Sequence, residues 1–172
     1  MTPLYTPAEA RNAVELLASR SLIRLVTEID DNGAIPARRL ADNLPDLSAH
    51  QLRHATEAAR KHGLVRVAPG FGLELTDAGA ELADLYDVMA RWARRHAYPA
   101  PVCEFSSRIR YVLDLLATSA ATEGGDGLSR PSTTRLTSAE AGADLARPRT
   151  LLIQWLAGNP QVTGVSESEP VA

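Results

Sequence analysis

Residues 44–79 read LPDLSAHQLRHATEAARKHGLVRVAPGFGLELTDAG. Ser48 is a good helix N-cap, because a hydroxyl there accepts one of the orphan N–H groups of the first turn. Gly63 is a good stop, because glycine tolerates the left-handed backbone that ends helices. Between them Leu52, Thr56 and Ala59 fall on one side, at spacings of four and three. The other side carries Ala49, His50, Arg53, His54, Glu57, Arg60 and Lys61. Leu64–Val67 then predicts a strand, Pro69–Gly72 a turn and Leu73–Leu75 the return strand. A polar-faced helix thus runs directly into a β-hairpin.

On the N-terminal side, Thr6-Pro7-Ala8-Glu9 has cap, proline and acid in the order of a helix start, and predicts a helix to about Ala18. Ser19 opens a second helix, with Leu22, Val26 and Ile29 as its apolar stripe and Leu25 alongside. Asp31-Asn32-Gly33 stops it. Ala34-Ile35-Pro36 is long enough only for a bridging strand, and Pro36 to Asn43 predicts a short helix with Leu40 inward. On the C-terminal side, Thr76 or Asp77 caps a helix reaching about His96. Its apolar positions Leu82, Leu85, Met89, Trp92 and His96 alternate at 3, 4, 3, 4. Pro99 and Pro101 break it, and Phe105, Ile109, Val112 and Leu116 repeat the pattern from Glu104 to Ala117. Such narrow seams suit another helix, in a second chain or in the same one. Thr122–Gly127 and Ser129–Thr134 predict a flexible linker. Two helical pieces follow, Ser138–Ala146 and Pro148–Ala157. Leu151, Leu152, Trp155 and Leu156, all in the latter piece, have the character of an exposed anchor set. Thr163–Ala172 predicts a disordered tail.

This order of elements is that of a winged helix-turn-helix. The expected fold is mainly α with a small β-hairpin: a winged helix-turn-helix domain with its N-terminal helix (1–76), a helical dimerisation region (77–120), a linker and helical extension (121–162) and the tail (163–172). Residues 19–97 resemble the HxlR branch of the MarR-like transcriptional regulators. Leu44-Pro45 and Ser48 match the turn before the family's recognition helix, and Leu52 stands four residues after the serine, as it does there. Gly63-Leu64-Val65 matches the strand start, Leu75-Thr76 with Gly79 the strand-to-helix junction, and Trp92 the aromatic late in the following helix. Where members carry larger apolar residues, this chain has Thr56 and Ala59. Its hairpin tip, Pro69–Gly72, has no Arg or Lys. Cys103 does not occupy the position of the redox cysteine that some members have.

The 172 residues carry 18 basic and 21 acidic groups, for −3 overall, which alone does not suit a polyanion partner. The distribution differs from the sum. Residues 38–66 hold six basic groups (Arg38, Arg39, Arg53, Arg60, Lys61, Arg66) against three acids, and every other section is negative. Binding to nucleic acid depends on the local field of a face. With 45 % hydrophobic residues the chain can bury a core, and with 5 % aromatics Leu, Ala, Val and Ile must fill it. One cysteine excludes an internal disulfide. The start MTPLYTPAEA is not a secretory leader, and no apolar run is long enough to span a bilayer, so a cytoplasmic protein without membrane association is expected.

The resemblance implies a transcriptional regulator that binds double-stranded DNA as a homodimer on a palindromic operator. The helix from Ser48 to His62 would enter the major groove. His50, Gln51, Arg53 and His54 would face bases, Arg53 bridging guanine O6 and N7 and Gln51 pairing with adenine, with Ser48 in the same DNA-binding set. Arg38, Arg39, Arg60, Lys61 and Arg66 would meet phosphates. Leu82, Leu85, Met89, Trp92, Phe105, Ile109, Val112 and Leu116 would form the dimer interface and set two such helices roughly 34–36 Å apart.

Other readings of the same residues compete with these. A basic helix face is often simply solvated, and the seams could be core. His50 and His54, at i and i+4, could ligate a metal, but without the glutamate of HExxH. Trp92, Tyr86 and Tyr98 could line the pocket of a small-molecule effector, or serve as core aromatics. His62 and His96 suit surface or capping roles. No phosphate loop, nucleophile elbow or zinc-type cysteine pair is present, so neither an enzyme nor a cofactor is expected. The rival function is a winged-helix module that binds a protein instead of DNA, favoured by the net charge, the uncharged hairpin tip and the light packing of the Ser48–His62 helix, and strengthened slightly by the C-terminal anchor set.

Overall fold

The computed structural model describes residues 6–96, 104–122 and 139–164. These form eight α-helices and one two-stranded antiparallel hairpin. Helix α1 (Pro7–Leu17) starts on a reciprocal capping box: the Thr6 N–H donates to Glu9 at 2.6 Å and the Glu9 N–H to the Thr6 hydroxyl at 3.2 Å. Helix α2 (Arg20–Asn32) is capped by Ser19 and buries Leu22, Ile23, Leu25, Val26 and Ile29. A single 3-10 turn (Ala37–Arg39) leads into α3 (Leu40–Asn43), and α4 (Ala49–Lys61) follows. Strands β1 (Val65–Ala68) and β2 (Gly72–Leu75) pair in the register Val65–Leu75 and Arg66–Glu74, and Ile35 bridges to Leu73 on the far edge of β2. Helix α5 (Asp77–His96) and α6 (Phe105–Thr122) come next, then α7 (Ala139–Gly158) and α8 (Pro160–Thr163).

Two glycines are required by close approach. Gly72 has φ +110°, and a Cβ there would run into the Ile35 carbonyl, so the Ile35 bridge and the turn exit both need glycine. At Gly79 a Cβ would strike the Leu64 carbonyl, where the first turn of α5 lies on the start of the hairpin. Thr76 secures that junction. Its hydroxyl donates to the Gly63 carbonyl and accepts the Gly79 N–H. The Leu75-Thr76…Gly79 pattern in the sequence therefore marks a packing constraint.

One continuous core runs from Ala13 to Val162. Tyr86 lies fully buried in it, and its hydroxyl donates to the Leu17 carbonyl at 2.8 Å, tying α5 to α1. Burial pushes that phenol well above its ordinary pKa, so it stays a neutral donor.

The structure corrects four expectations here. Leu82, Leu85, Met89, Trp92, Ile109, Val112 and Leu116 are all buried within the single chain, and Phe105 packs against the same core. The seam assigned to a dimer is closed by the chain's own helices, α5 lying between α6 and α7. The C-terminal anchor set is not exposed either. Leu152, Trp155 and Leu156 are buried, Leu151 is partly so, and the Trp155 indole N–H donates to the Ala78 carbonyl at 3.1 Å. The region after the linker thus belongs to the main core. The two helical pieces expected there are one helix. Pro148 cannot donate to the Asp144 carbonyl and so weakens the ladder. However, Ala141, Leu145, Pro148, Leu152 and Trp155 continue one buried stripe at spacings of 4, 3, 4 and 3 through the proline. Burial of that stripe outweighs the lost bond. Thr163, expected in the tail, is buried at the end of α8. The linker from residue 123 on, Tyr98, Cys103 and the tail beyond residue 164 lie outside the described residues.

Candidate nucleic-acid interface

Helix α4 is held by its small side. Leu52, Ala55 and Ala59 are buried, and the two alanines let α4 lie close to α2. Thr56 is only partly buried, and its hydroxyl donates back to the Leu52 carbonyl at 2.8 Å. The inward face is therefore Leu52, Ala55 and Ala59. The outward face is the expected one: Ala49, His50, Arg53, His54, Glu57, Arg60 and Lys61 are all exposed, and Gln51 is exposed as well.

The two ends of α4 are fixed differently. At the start, the Ser48 hydroxyl accepts the Gln51 N–H at 3.2 Å, and the Gln51 side-chain oxygen accepts the Ser48 N–H at 2.9 Å. This capping box engages both residues in the fold. Gln51 was expected to face bases, and the structure engages its side chain in the cap; Ser48, also placed in the DNA-binding set, caps the helix as its position predicts. A serine followed three residues later by glutamine is itself the sequence signature of that box. At the far end His62 closes the helix. Its Nδ1–H donates to the Gln161 carbonyl at 3.0 Å, and the Gln161 amide donates to the His62 carbonyl at 3.3 Å. Helix α8 thus pins the C-terminal end of α4, a contact 99 residues apart in sequence.

The cations sort into paired and unpaired sets. On β1, Arg66 donates to Glu74, its cross-strand partner, at 2.6 Å, so its charge is already matched. Among the described residues Arg38, Arg39, Arg53, Arg60 and Lys61 form no ion pair, and all five are exposed. Arg60 and Lys61 sit in the last turn of α4, where a cation is favoured by the helix dipole. Glu57 is the only carboxylate on this helix. Before it, Asp46 is taken up by Arg24 at 3.0 Å and Arg20 at 3.1 Å. The Arg24 hydrogen bond holds the Asp46 carboxyl below the usual carboxylate range, and raises the Arg24 pKa in return. The rings of His50 and His54 lie against each other, centroids 4.3 Å apart, one turn along the outer face. Among the described residues no third His, Cys, Asp or Glu joins them to hold a metal.

The hairpin presents what the sequence reading did not single out. Val67 and Phe71 are 59 % and 70 % exposed, so the tip is apolar as well as uncharged. Among the described residues no helix is long and apolar enough to cross a membrane. Comparison with known proteins finds no match among family models, curated proteins or solved structures.

Proposed function

We propose that the chain is a DNA-binding transcriptional regulator with a winged helix-turn-helix domain, α4 being the helix that enters the major groove. The outward face of α4 carries this reading: Arg53, Arg60 and Lys61 stand exposed and unpaired beside His50 and His54, with Arg38 and Arg39 on the neighbouring 3-10 turn. An α-helix fits the major groove, and a bidentate guanidinium there discriminates guanine by about 1–3 kcal/mol. Support also comes from the element order and from the glycine and threonine contacts that fix the hairpin against α5. Arg53 is the base-reading candidate, with His50 and His54; Arg38, Arg39, Arg60 and Lys61 fit phosphate contacts. Four such cations correspond to a salt slope of up to about 3–4 per chain, at about 0.9 per phosphate. A homodimer on a palindrome belongs to the proposal, but its two chains would meet across a face other than the α5–α6 seam.

The test is fluorescence anisotropy on DNA from around the protein's own gene, with Arg53→Ala and Arg60→Ala. The first is expected to lose sequence preference and the second to weaken all sequences alike. Negligible, salt-insensitive binding by the unaltered chain sinks the proposal. One observation favours the rival reading, a protein-binding module: the hairpin exposes two apolar side chains, Val67 on β1 and Phe71 at the turn. A Phe71→Ser variant that keeps DNA binding but loses a protein partner would mark that face as the interaction surface.

A further inference from the structure

The chain has four histidines. Two are engaged by the fold. His62 donates to the Gln161 carbonyl at 3.0 Å, and His96 pairs with Asp144 at 2.8 Å. The other two, His50 and His54, are exposed on α4 and form no hydrogen bond or ion pair among the described residues. What they meet is each other. Their ring centroids lie 4.3 Å apart, with the planes inclined at 53°. The helix sets this juxtaposition, because residues four apart stand one turn apart on the same face. The Ser48–Gln51 box at one end and the His62–Gln161 clasp at the other fix the backbone that carries the pair.

A neutral imidazole offers one lone-pair nitrogen to a metal. Two such nitrogens on one ion, each at about 2.0–2.1 Å, are about 3 Å apart. Rings 4.3 Å apart can present nitrogens at that separation after small side-chain rotations. From this juxtaposition we infer that His50 and His54 together bind one divalent late transition-metal ion. Imidazole suits Cu²⁺, Ni²⁺ and Zn²⁺, and the order of intrinsic affinities puts Cu²⁺ first. Mg²⁺, which takes oxygen ligands, is rejected. Among the described residues no third His, Cys, Asp or Glu closes the site, so water fills the remaining positions and the ion stays exchangeable. Glu57, three residues beyond His54, offsets the charge of Arg53 on the same exposed face. The assignment concerns metal binding alone and does not rest on the DNA reading. If α4 does read DNA, an ion here takes both imidazoles away from the bases.

The probe is nickel chloride, titrated by calorimetry into the untagged full chain, with magnesium chloride as the control. Saturable Ni²⁺ binding is expected, with no heat of binding from Mg²⁺. Zinc and copper chlorides should compete for the same site, copper at the lower concentration. His50→Gln and His54→Gln each remove one imidazole from an exposed position. Either is expected to weaken Ni²⁺ at least about tenfold, because the second ligand of a chelate acts at a high effective concentration. Their melting temperatures should match that of the unaltered chain. His62→Gln removes an imidazole outside the pair and is expected to leave Ni²⁺ affinity unchanged. No DNA enters the titration, so its outcome is separate from that of the DNA-binding test. Absence of saturable Ni²⁺ binding, unchanged affinity in either His50→Gln or His54→Gln, or an equal loss in His62→Gln would each overturn the assignment.

Discussion

Helices α4 and α5 both carry an apolar stripe opposite a charged face, but they use those faces differently. On α4 the buried side is small, Leu52, Ala55 and Ala59, and the outer side keeps its cations unpaired. On α5 the buried side is large and doubly used, α6 covering one part and α7 another. A lightly packed helix with a bare cationic face can be presented to a partner. A helix enclosed by two others is a scaffold. The contrast shows that a 3/4 repeat reveals that a face will be covered, but not whether its cover comes from the same chain.

The strongest way to break this comparison is Ile109→Ala. Ile109 is fully buried on α6. Removing it should cost about 2–5 kcal/mol, the usual range for an emptied core site. The loss should be independent of protein concentration, because the seam is internal. If the size of the loss caused by the substitution changes with protein concentration, two chains share that seam and the contrast between α4 and α5 fails.

Arg53→Ala should do the opposite. Arg53 is exposed and unpaired, so thermal stability should change by no more than about 0.5 kcal/mol. DNA discrimination should fall by about 1–3 kcal/mol at one base position. Competition with single-base variants of the bound sequence measures it. A uniform loss over all sequences would make Arg53 a phosphate contact and leave His50 and His54 as the base readers.

Ser48→Ala sharpens the comparison at the junction of fold and site. The capping box should make the serine worth about 1 kcal/mol of stability, read by denaturant unfolding. A loss of DNA preference with unchanged stability would instead return Ser48 to the binding face.

What could be read from the sequence was local. The Ser48 cap and the Gly63 stop bounded α4 closely, because caps depend on a few neighbouring residues. The hairpin was legible from Pro69–Gly72 for the same reason. What could not be read depended on distant partners. Pro148 resembled a boundary because its effect on backbone hydrogen bonding is local, whereas the burial that carries α7 through it comes from α5. Arg66 resembled a free cation until the strand register set Glu74 opposite it. The clasp between His62 and Gln161 joins segments far apart in sequence, and no spacing announces it.

The smallest effect belongs to the ion cluster that holds α2 against the approach to α4. Arg24 foremost, then Arg20, keep the Asp46 carboxyl below the ordinary carboxylate range. Glu104 is lowered as well, first by the Ser106 hydroxyl and then by Arg20. A carboxyl with a depressed folded pKa stabilises above its unfolded value, near 4, and loses that contribution as pH falls through the folded value. Both carboxylates are partly exposed, so the pairs should be worth at most about 1 kcal/mol. Asp46→Asn should therefore melt slightly below the unaltered chain at pH 7. The gap should hold down to the ordinary carboxylate range and close only as pH falls through the depressed folded value, where the native carboxyl becomes protonated and Arg24 has lost its charged partner in both proteins. The difference between the two curves isolates this cluster from the other carboxylates. A gap that persists after the native carboxyl has been protonated would mean that Asp46 stabilises by packing or neutral hydrogen bonding. Arg24 would then hold α2 to the segment before α4 without electrostatic help, and the cationic face of α4 would owe nothing to the neutralisation of Asp46.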